Sequence, residues 1–319
     1  MSHPTYVFGS HQVESFSKED LQTMLDILEK RGIRNIDTAR VYGDSEKRLG
    51  EMKVAQSFTI DTKSPSFVPK ALSGTSLRNG IQTSLSLLGT EKLDIYYLHA
   101  PDKDTPIEET VDAIQELHRQ GKFERFGLSN FLPDDVRKIH AYAQSKSGVV
   151  PSVYQGNYNA FARTIERDLF PVLRELSMAF YAYSPIAGGF FAKHPDDLEN
   201  KKAAGRFDTS TISGQMYNTM YNKPTTIEAL RQWRRIAEQA GDSSINMAYR
   251  WAVFNSKLDA GAGDAIIIGA SRPAQLEQTL SALDAGPLKA ETVEQIEELW
   301  MLIEKDAPLD NWHSFAKNL

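Results

Sequence analysis

Residues 93–130 read LDIYYLHAPDKDTPIEETVDAIQELHRQGKFERFGLSN. The stretch opens on a short apolar and aromatic run, LDIYYLHA (93–100), of strand length and strand composition. TPIEETVDAIQELHRQGK follows with helical spacing of its apolar residues. Thr105 and Glu108 are placed to form a capping box, with Pro106 at the first helical position. A second strand-like run, FERFGLS (123–129), closes the unit. Strand, helix, strand with these lengths is the signature of two parallel neighbours joined by a helical crossover.

The same rhythm extends both ways. Towards the N-terminus lie strand-like runs near Tyr6–Gly9, IRNID (33–37) and SFTID (57–61). Between them SKEDLQTMLDILEKRG reads as a helix, with Ser17 as its N-cap and Gly32 as its stop. A second helix is expected from Ser73 to Leu88. Towards the C-terminus, a helix opened by Leu132-Pro133-Asp134-Asp135 leads to VYQGNYN (153–159). A helix over Glu166–Leu176 leads to AFYAYSP (179–185), and DAIIIGAS (264–271) is the last strand. Eight such units close into a (β/α)8 barrel, an α/β TIM barrel; an open doubly wound sheet is the runner-up. Two features interrupt the pattern. Residues 186–224 read as a long loop after the seventh strand, and 290–304 as an extra C-terminal helix. With no repeat and no Pro/Ser linker, residues 1–319 are expected to form a single domain.

Composition narrows the function. The chain has 319 residues, 41% hydrophobic and 24% charged, which is ordinary for a globular protein. Its net charge of −6 offers no global field for nucleic acid. With no cysteine there is no disulfide, thiolate metal site or cysteine nucleophile. The N-terminus lacks the basic and apolar regions of a signal peptide, and no run approaches the roughly 20 apolar residues of a membrane helix. The expectation is a cytosolic protein acting on a small carbonyl molecule, with no nucleic acid, membrane or metal partner, and with a homodimer as the one assembly considered.

A barrel collects its chemistry where the strands end. The second strand ends with Asp37 and then Tyr42, and the third with Asp61-Thr62-Lys63. His99 ends the fourth, and Ser129 and Asn130 end the fifth. Gln155 lies in the sixth. Tyr183 and Ser184 end the seventh, and Ser271 and Arg272 the eighth. Each alone has a bland reading: a turn aspartate, a packed tyrosine, a solvated lysine, a structural histidine. Together they suit carbonyl reduction. A phenol titrates at about 10 and is a poor donor near neutrality. An ammonium beside it stabilises the phenolate and is expected to lower that pKa. Asp37 would hold Lys63, Tyr42 would give the proton, and His99 would hydrogen-bond the reacting oxygen.

The hydride needs a carrier, yet no GxGxxG, GxxxxGK[ST] or HExxH is present. Gly261-Ala262-Gly263 lacks the third glycine and reads as a loop. Ser129, Asn130 and Gln155 can hold a carboxamide, and Tyr183 offers a face to a nicotinamide ring. Gly188-Gly189 lets backbone approach phosphates.

In order and over nearly the whole chain, NIDTARVYG, DTK, YLHAPD, GLSN, YQGNYN, YAYSPIAGG and IIIGAS…QLEQ resemble the aldo-keto reductases. TPIEETVDAIQELHRQGKFERFGLSN, VYQGNYNA and ERDLFPVLREL are similar to their aflatoxin-aldehyde reductase branch. The resemblance implies a barrel that binds extended NADPH and a tetrad of Asp37, Tyr42, Lys63 and His99, with Tyr42 as general acid. It implies a carboxamide held by Ser129, Asn130 and Gln155, and stacking by Tyr183. Ser184, Pro185, Ile186, Ala187, Gly188 and Gly189 match the phosphate-facing loop. Arg206 matches a cofactor-contacting arginine, and it or Lys193 would support Arg272 in preferring NADPH. Gly269, Ala270, Ser271, Arg272, Gln275 and Gln278 map to the adenosine end, where Arg272 is the candidate for preferring NADPH to NADH.

Three positions depart from the branch. Gln278-Thr279 replaces Gln-Asn. Met220 stands where a substrate arginine follows the loop tyrosine, here Tyr217. The chain ends FAKNL, without the terminal arginine. The first bears on an adenine contact; the two missing arginines favour neutral aldehydes over carboxylate-bearing ones such as succinic semialdehyde. A slow NADPH-sensing regulator resembling potassium-channel β-subunits is the alternative. A barrel hydrolase is disfavoured by the missing pair of strand-end glutamates.

Overall fold

The computed structural model describes residues 3–318. Its strands are β1 (Thr5–Gly9), β2 (Asn35–Asp37), β3 (Thr59–Lys63), β4 (Leu93–Leu98), β5 (Phe123–Ser129), β6 (Pro151–Asn157), β7 (Ala179–Tyr183) and β8 (Ala265–Ile268). They close into one barrel in sequence order, every neighbouring pair parallel, β8 against β1. The doubly wound alternative is thereby excluded.

Side chains alternate between two environments. Val7, Ile95, Tyr97, Val153, Ala179, Tyr181, Ala265 and Ile267 fill the inside of the barrel, the packed interior of this architecture rather than a pore. The intervening residues, among them Phe8, Ile36, Ile60, Tyr96 and Leu98, meet the surrounding helices in the larger core. One interior ring sets a constraint. A Cβ on Gly127 would lie 2.3 Å from Cδ1 of Tyr97, so β5 carries a glycine where β4 carries a tyrosine. The β5–β6 register shifts at the same place, between Phe126 and Gly127.

The expected helices form, with instructive differences. Ser17 caps Lys18–Lys30 by accepting from the Asp20 N–H, and Ser73 caps Gly74–Leu88 through Ser76. The capping box at Thr105 does not form. The helix is Ile107–Arg119, Pro106 is its cap rather than its first residue, and Thr105 Oγ1 donates to Asp102 at 2.7 Å instead. The helix expected over Glu166–Leu176 is broken into Ile165–Asp168 and Phe170–Glu175, beside Pro171, which has no N–H to continue the ladder. Residues 186–224 are not a plain loop. They hold the helices Pro195–Glu199 and Ile212–Tyr221, with a 3₁₀ turn at Gly205–Phe207 between them. The C-terminal helix runs Ala290–Ile303. Among the described residues, no helix is long and apolar enough to cross a membrane.

Candidate active site

β3 extends to Lys63, so the lysine sits inside the barrel rather than in a loop beyond it. Its ammonium is fully buried and donates to both oxygens of Asp37, at 2.8 and 2.6 Å, and to the Thr38 carbonyl at 2.8 Å. Burial opposes the charge. Asp37 and the neighbouring Tyr42 outweigh it and hold the Lys63 pKa above its ordinary value. The ammonium lies 5.1 Å from the centre of the Tyr42 ring and 5.7 Å from that of Tyr97.

The Tyr42 phenol departs from the expected direction. Burial raises its pKa, and the Lys63 charge pulls it down without overcoming that rise. The lysine moderates the phenol rather than making it acidic, and Tyr42 stays protonated near neutrality. His99 packs edge-on to Tyr42, ring centres 6.1 Å apart. Burial, then the charge of Lys63, keeps its imidazole well below the ordinary range and so neutral. Its Nδ1 lies 3.1 Å from the Ser66 hydroxyl. When Ser66 donates, the ring carries its proton on Nε2, the arrangement needed to hydrogen-bond a carbonyl oxygen.

The next strands build a second wall. Asn130 donates from Nδ2 to the His99 carbonyl at 2.8 Å and to Ser129 Oγ at 3.2 Å, while its Oδ1 accepts from the Tyr183 hydroxyl at 3.0 Å. Gln155 Nε2 donates to Asp37 Oδ1 at 2.8 Å, tying this wall to the acid–ammonium pair.

These groups open on one cleft of about 1260 Å³ at the C-terminal mouth of the barrel. A single drug-sized ligand occupies a pocket of about 300–1000 Å³, so the cleft has room for a dinucleotide and a substrate together. Asp37, Tyr42, His99, Ser129, Asn130, Gln155, Tyr183, Ser184, Pro185 and Ile186 line it. So do Gly188, Gly189, Arg206, Tyr217, Gly269, Ala270, Ser271 and Gln275. Gly188 has φ +65°, and a Cβ there would fall 2.0 Å from the Tyr217 ring, so the chain can only pass between that ring and the cleft as glycine. Asn311 Oδ1 is buried without a partner beside the cleft, an acceptor that a bound amide or hydroxyl would satisfy. Bare backbone, an aromatic face at Tyr183 and unspent polar atoms fit a nicotinamide dinucleotide.

Other expected residues lie elsewhere. Lys63 stands behind Asp37 and Tyr42 rather than on the cleft surface. Ala187 and Met220 are packed in the core, and Met216 faces the cleft in place of Met220. Lys193 spends its ammonium on the Ala204 carbonyl at 2.7 Å. Arg272 and Gln278 are exposed at and within the helix Pro273–Leu283, outside the cleft lining. Strand-end reading missed His11, Phe67, Trp312 and Tyr249, all on the cleft. They come from loops, a later helix and a C-terminal turn that strand periodicity does not reach. It also missed Lys317, which brings a cation to the cleft from the FAKNL end. Among the described residues no group of three metal-ligating side chains forms.

A buried acid–ammonium pair, a protonated phenol and a neutral imidazole at the mouth of a barrel make an oxidoreductase working on carbonyl groups. The chain belongs to the aldo/keto reductase family, whose model matches residues 5–301. It is 39% identical over 286 residues to the oxidoreductase sirO of Leptosphaeria maculans, covering 89% of this chain and 86% of that protein. It is 38% identical over 292 residues to aldo-keto reductase family 7 member A3 of Homo sapiens, covering 88% of each. To aflatoxin B1 aldehyde reductase member 2 of Rattus norvegicus it is 37% identical over 292 residues, covering 88% of this chain and 79% of that protein.

Proposed function

We propose that the protein reduces aldehydes to alcohols with NADPH, Tyr42 acting as the general acid. The observation carrying this reading is the Lys63–Asp37 contact, held beside the Tyr42 ring in a cleft that His99 also lines. NADPH, when bound, supplies hydride to the carbonyl carbon. The protein's own part is to orient the carbonyl and to supply the proton. His99 hydrogen-bonds the oxygen and turns its carbon towards the Tyr183 wall. As negative charge grows on that oxygen, Tyr42 transfers its proton there, and the Lys63 ammonium stabilises the phenolate left behind. Asp37 and Thr38 fix the ammonium so that no rearrangement is needed at that moment.

Replacing Tyr42 with Phe removes the donor and keeps the packing. It should lower kcat by about 10²–10⁴ with NADPH affinity nearly intact, read by fluorescence titration. Weakened NADPH binding with full turnover would overturn the assignment. A catalytic rate for the wild type also separates this reading from a slow cofactor sensor.

Preference for NADPH rests in this reading on Arg272. Its neighbour Ser271 lines the cleft and bonds Gln275 Oε1 from both its N–H and its hydroxyl, at 3.0 and 2.8 Å. Arg272→Ala should raise KM for NADPH more than KM for NADH. An unchanged ratio removes Arg272 from the role.

A further inference from the structure

His11 is a titratable group on the cleft that the proton transfer above leaves unused. It follows β1, lines the cleft, and packs its ring 4.7 Å from that of Tyr42, centre to centre. The residue is exposed at the rim of the cleft, with its ring held against Tyr42.

The groups around it are cationic or neutral. Lys63 comes from β3 and Arg206 from the turn Gly205–Phe207; His99 lies close enough for the two imidazoles to disfavour each other's charge. Tyr42 is the ring it touches. Asp37 is already engaged by Lys63. Glu14, on its own segment, turns away to the Asp44 N–H at 3.2 Å. Partial burial of the ring against Tyr42, then Arg206 and Lys63, push the His11 pKa below its ordinary value. Within a chain of net charge −6, this corner is locally positive and incompletely neutralised. Gly9, Gly188 and Gly189 line the same cleft.

We propose that His11 takes up a proton when the diphosphate of a nicotinamide dinucleotide enters the cleft, coupling cofactor binding to pH through a residue outside the tetrad. The inference rests on the reading of the cleft as a dinucleotide site. A diphosphate brings two negative charges to a corner whose cations discourage a third. Its arrival reverses the sign of the local field and favours the charged imidazole. The proton comes from a buffer acid, which becomes its conjugate base, and His11 becomes an imidazolium. By linkage, the dinucleotide then binds more tightly as pH falls towards the pKa of the bound state.

The test is calorimetric titration of the full-length protein with NADP⁺, which is stable in mild acid, at pH 5.5 and pH 8. Two buffers of different ionisation enthalpy give the protons taken up. Wild type should take up a large fraction of a proton more than His11→Asn at pH 5.5, and the same number at pH 8. The variant's Kd should rise by on the order of tenfold at pH 5.5, about one pKa unit of linkage, and match wild type at pH 8. Nicotinamide riboside, which has no diphosphate, should cause no uptake. Should the variant fold poorly, the His11 ring resonance of the wild type gives the same answer by NMR, titrating higher with NADP⁺ than without. Equal proton uptake by the two proteins, or an unmoved His11 titration, overturns the inference while leaving the dinucleotide site standing. Absence of NADP⁺ binding to the wild type overturns the cofactor reading and the inference with it.

Discussion

Asp61 shows how much one side chain can decide. β2 and β3 pair Asp37 with Asp61 in register, so two carboxyl groups leave neighbouring strands into the same buried space. Asp37 has Lys63 and Gln155. Asp61 has one N–H, from Ile95 at 3.2 Å, and its Oδ2 is buried without a partner. Burial, then Asp94 and Asp37, hold its pKa well above the carboxylate range, which favours the neutral acid in the folded chain. The unfolded chain ionises it above about 3.9. Its raised folded pKa therefore costs stability increasingly as pH rises from there towards the folded value. Asp61→Asn keeps the shape and removes that penalty. The variant should be more stable than wild type at pH 7 by about 1–3 kcal/mol, with the gain fading near pH 4, measured by urea unfolding at both values. No gain at pH 7 would mean that Asp61 is ionised and paired.

At the scale of elements, the segment between β7 and the helix Pro224–Gln239 decides what covers the cleft. Arg206, Ile212, Ser213, Met216 and Tyr217 reach the cleft from it, and the Arg206 guanidinium stacks 5.9 Å from the Tyr217 ring centre. Bound NADPH should tie these pieces together and slow trypsin cleavage at Lys201–Lys202 several-fold; equal cutting with and without NADPH would show that the segment does not close over the ligand. This segment was also the least legible part of the sequence. Its helices are short and carry no long apolar stripe, so periodicity had little to work on. The strands were legible because each is a compact apolar run, though their ends shifted. The run at 57–61 began too early, since Ser57 belongs to the preceding turn, and it ended too early, since Lys63 pairs with Tyr97 within the sheet. The grouping of Asp37, Lys63 and His99 was readable because they sit at or just past strand ends, with Tyr42 in the loop that follows β2. The Tyr42 pKa was not, because burial of a phenol is a property of packing. The same holds for Met220, whose neighbour on the helix, Met216, takes the cleft-facing position one turn earlier.

The molecule as a whole surrounds its reactive centre with an apolar rim. Seven large hydrophobic side chains stand exposed among the described residues, and four of them, Val41, Phe67, Val68 and Ile212, line this cleft. Phe67 holds φ +63°, a costly backbone state for an aromatic residue. Its ring packs 5.2 Å from His99 and 5.8 Å from Trp312. Such a rim supports the expectation that neutral aromatic aldehydes are the better substrates. Lys317 offers a cation at the same mouth, but an exposed ammonium is screened by salt and does little against the cost of drying a carboxylate. 4-Nitrobenzaldehyde should exceed succinic semialdehyde in kcat/KM by on the order of tenfold or more, a difference of about 1.4 kcal/mol in transition-state stabilisation. The reverse order in a steady-state assay would place the cations, rather than the rim, in control of specificity. The closed ring of strands has a further result for how this protein meets others. With β8 bonded to β1, the sheet keeps no unpaired border on which a foreign strand could add itself. Recognition by another chain is left to the outer helices and the loops, and recruitment by β-augmentation of the barrel is closed to it.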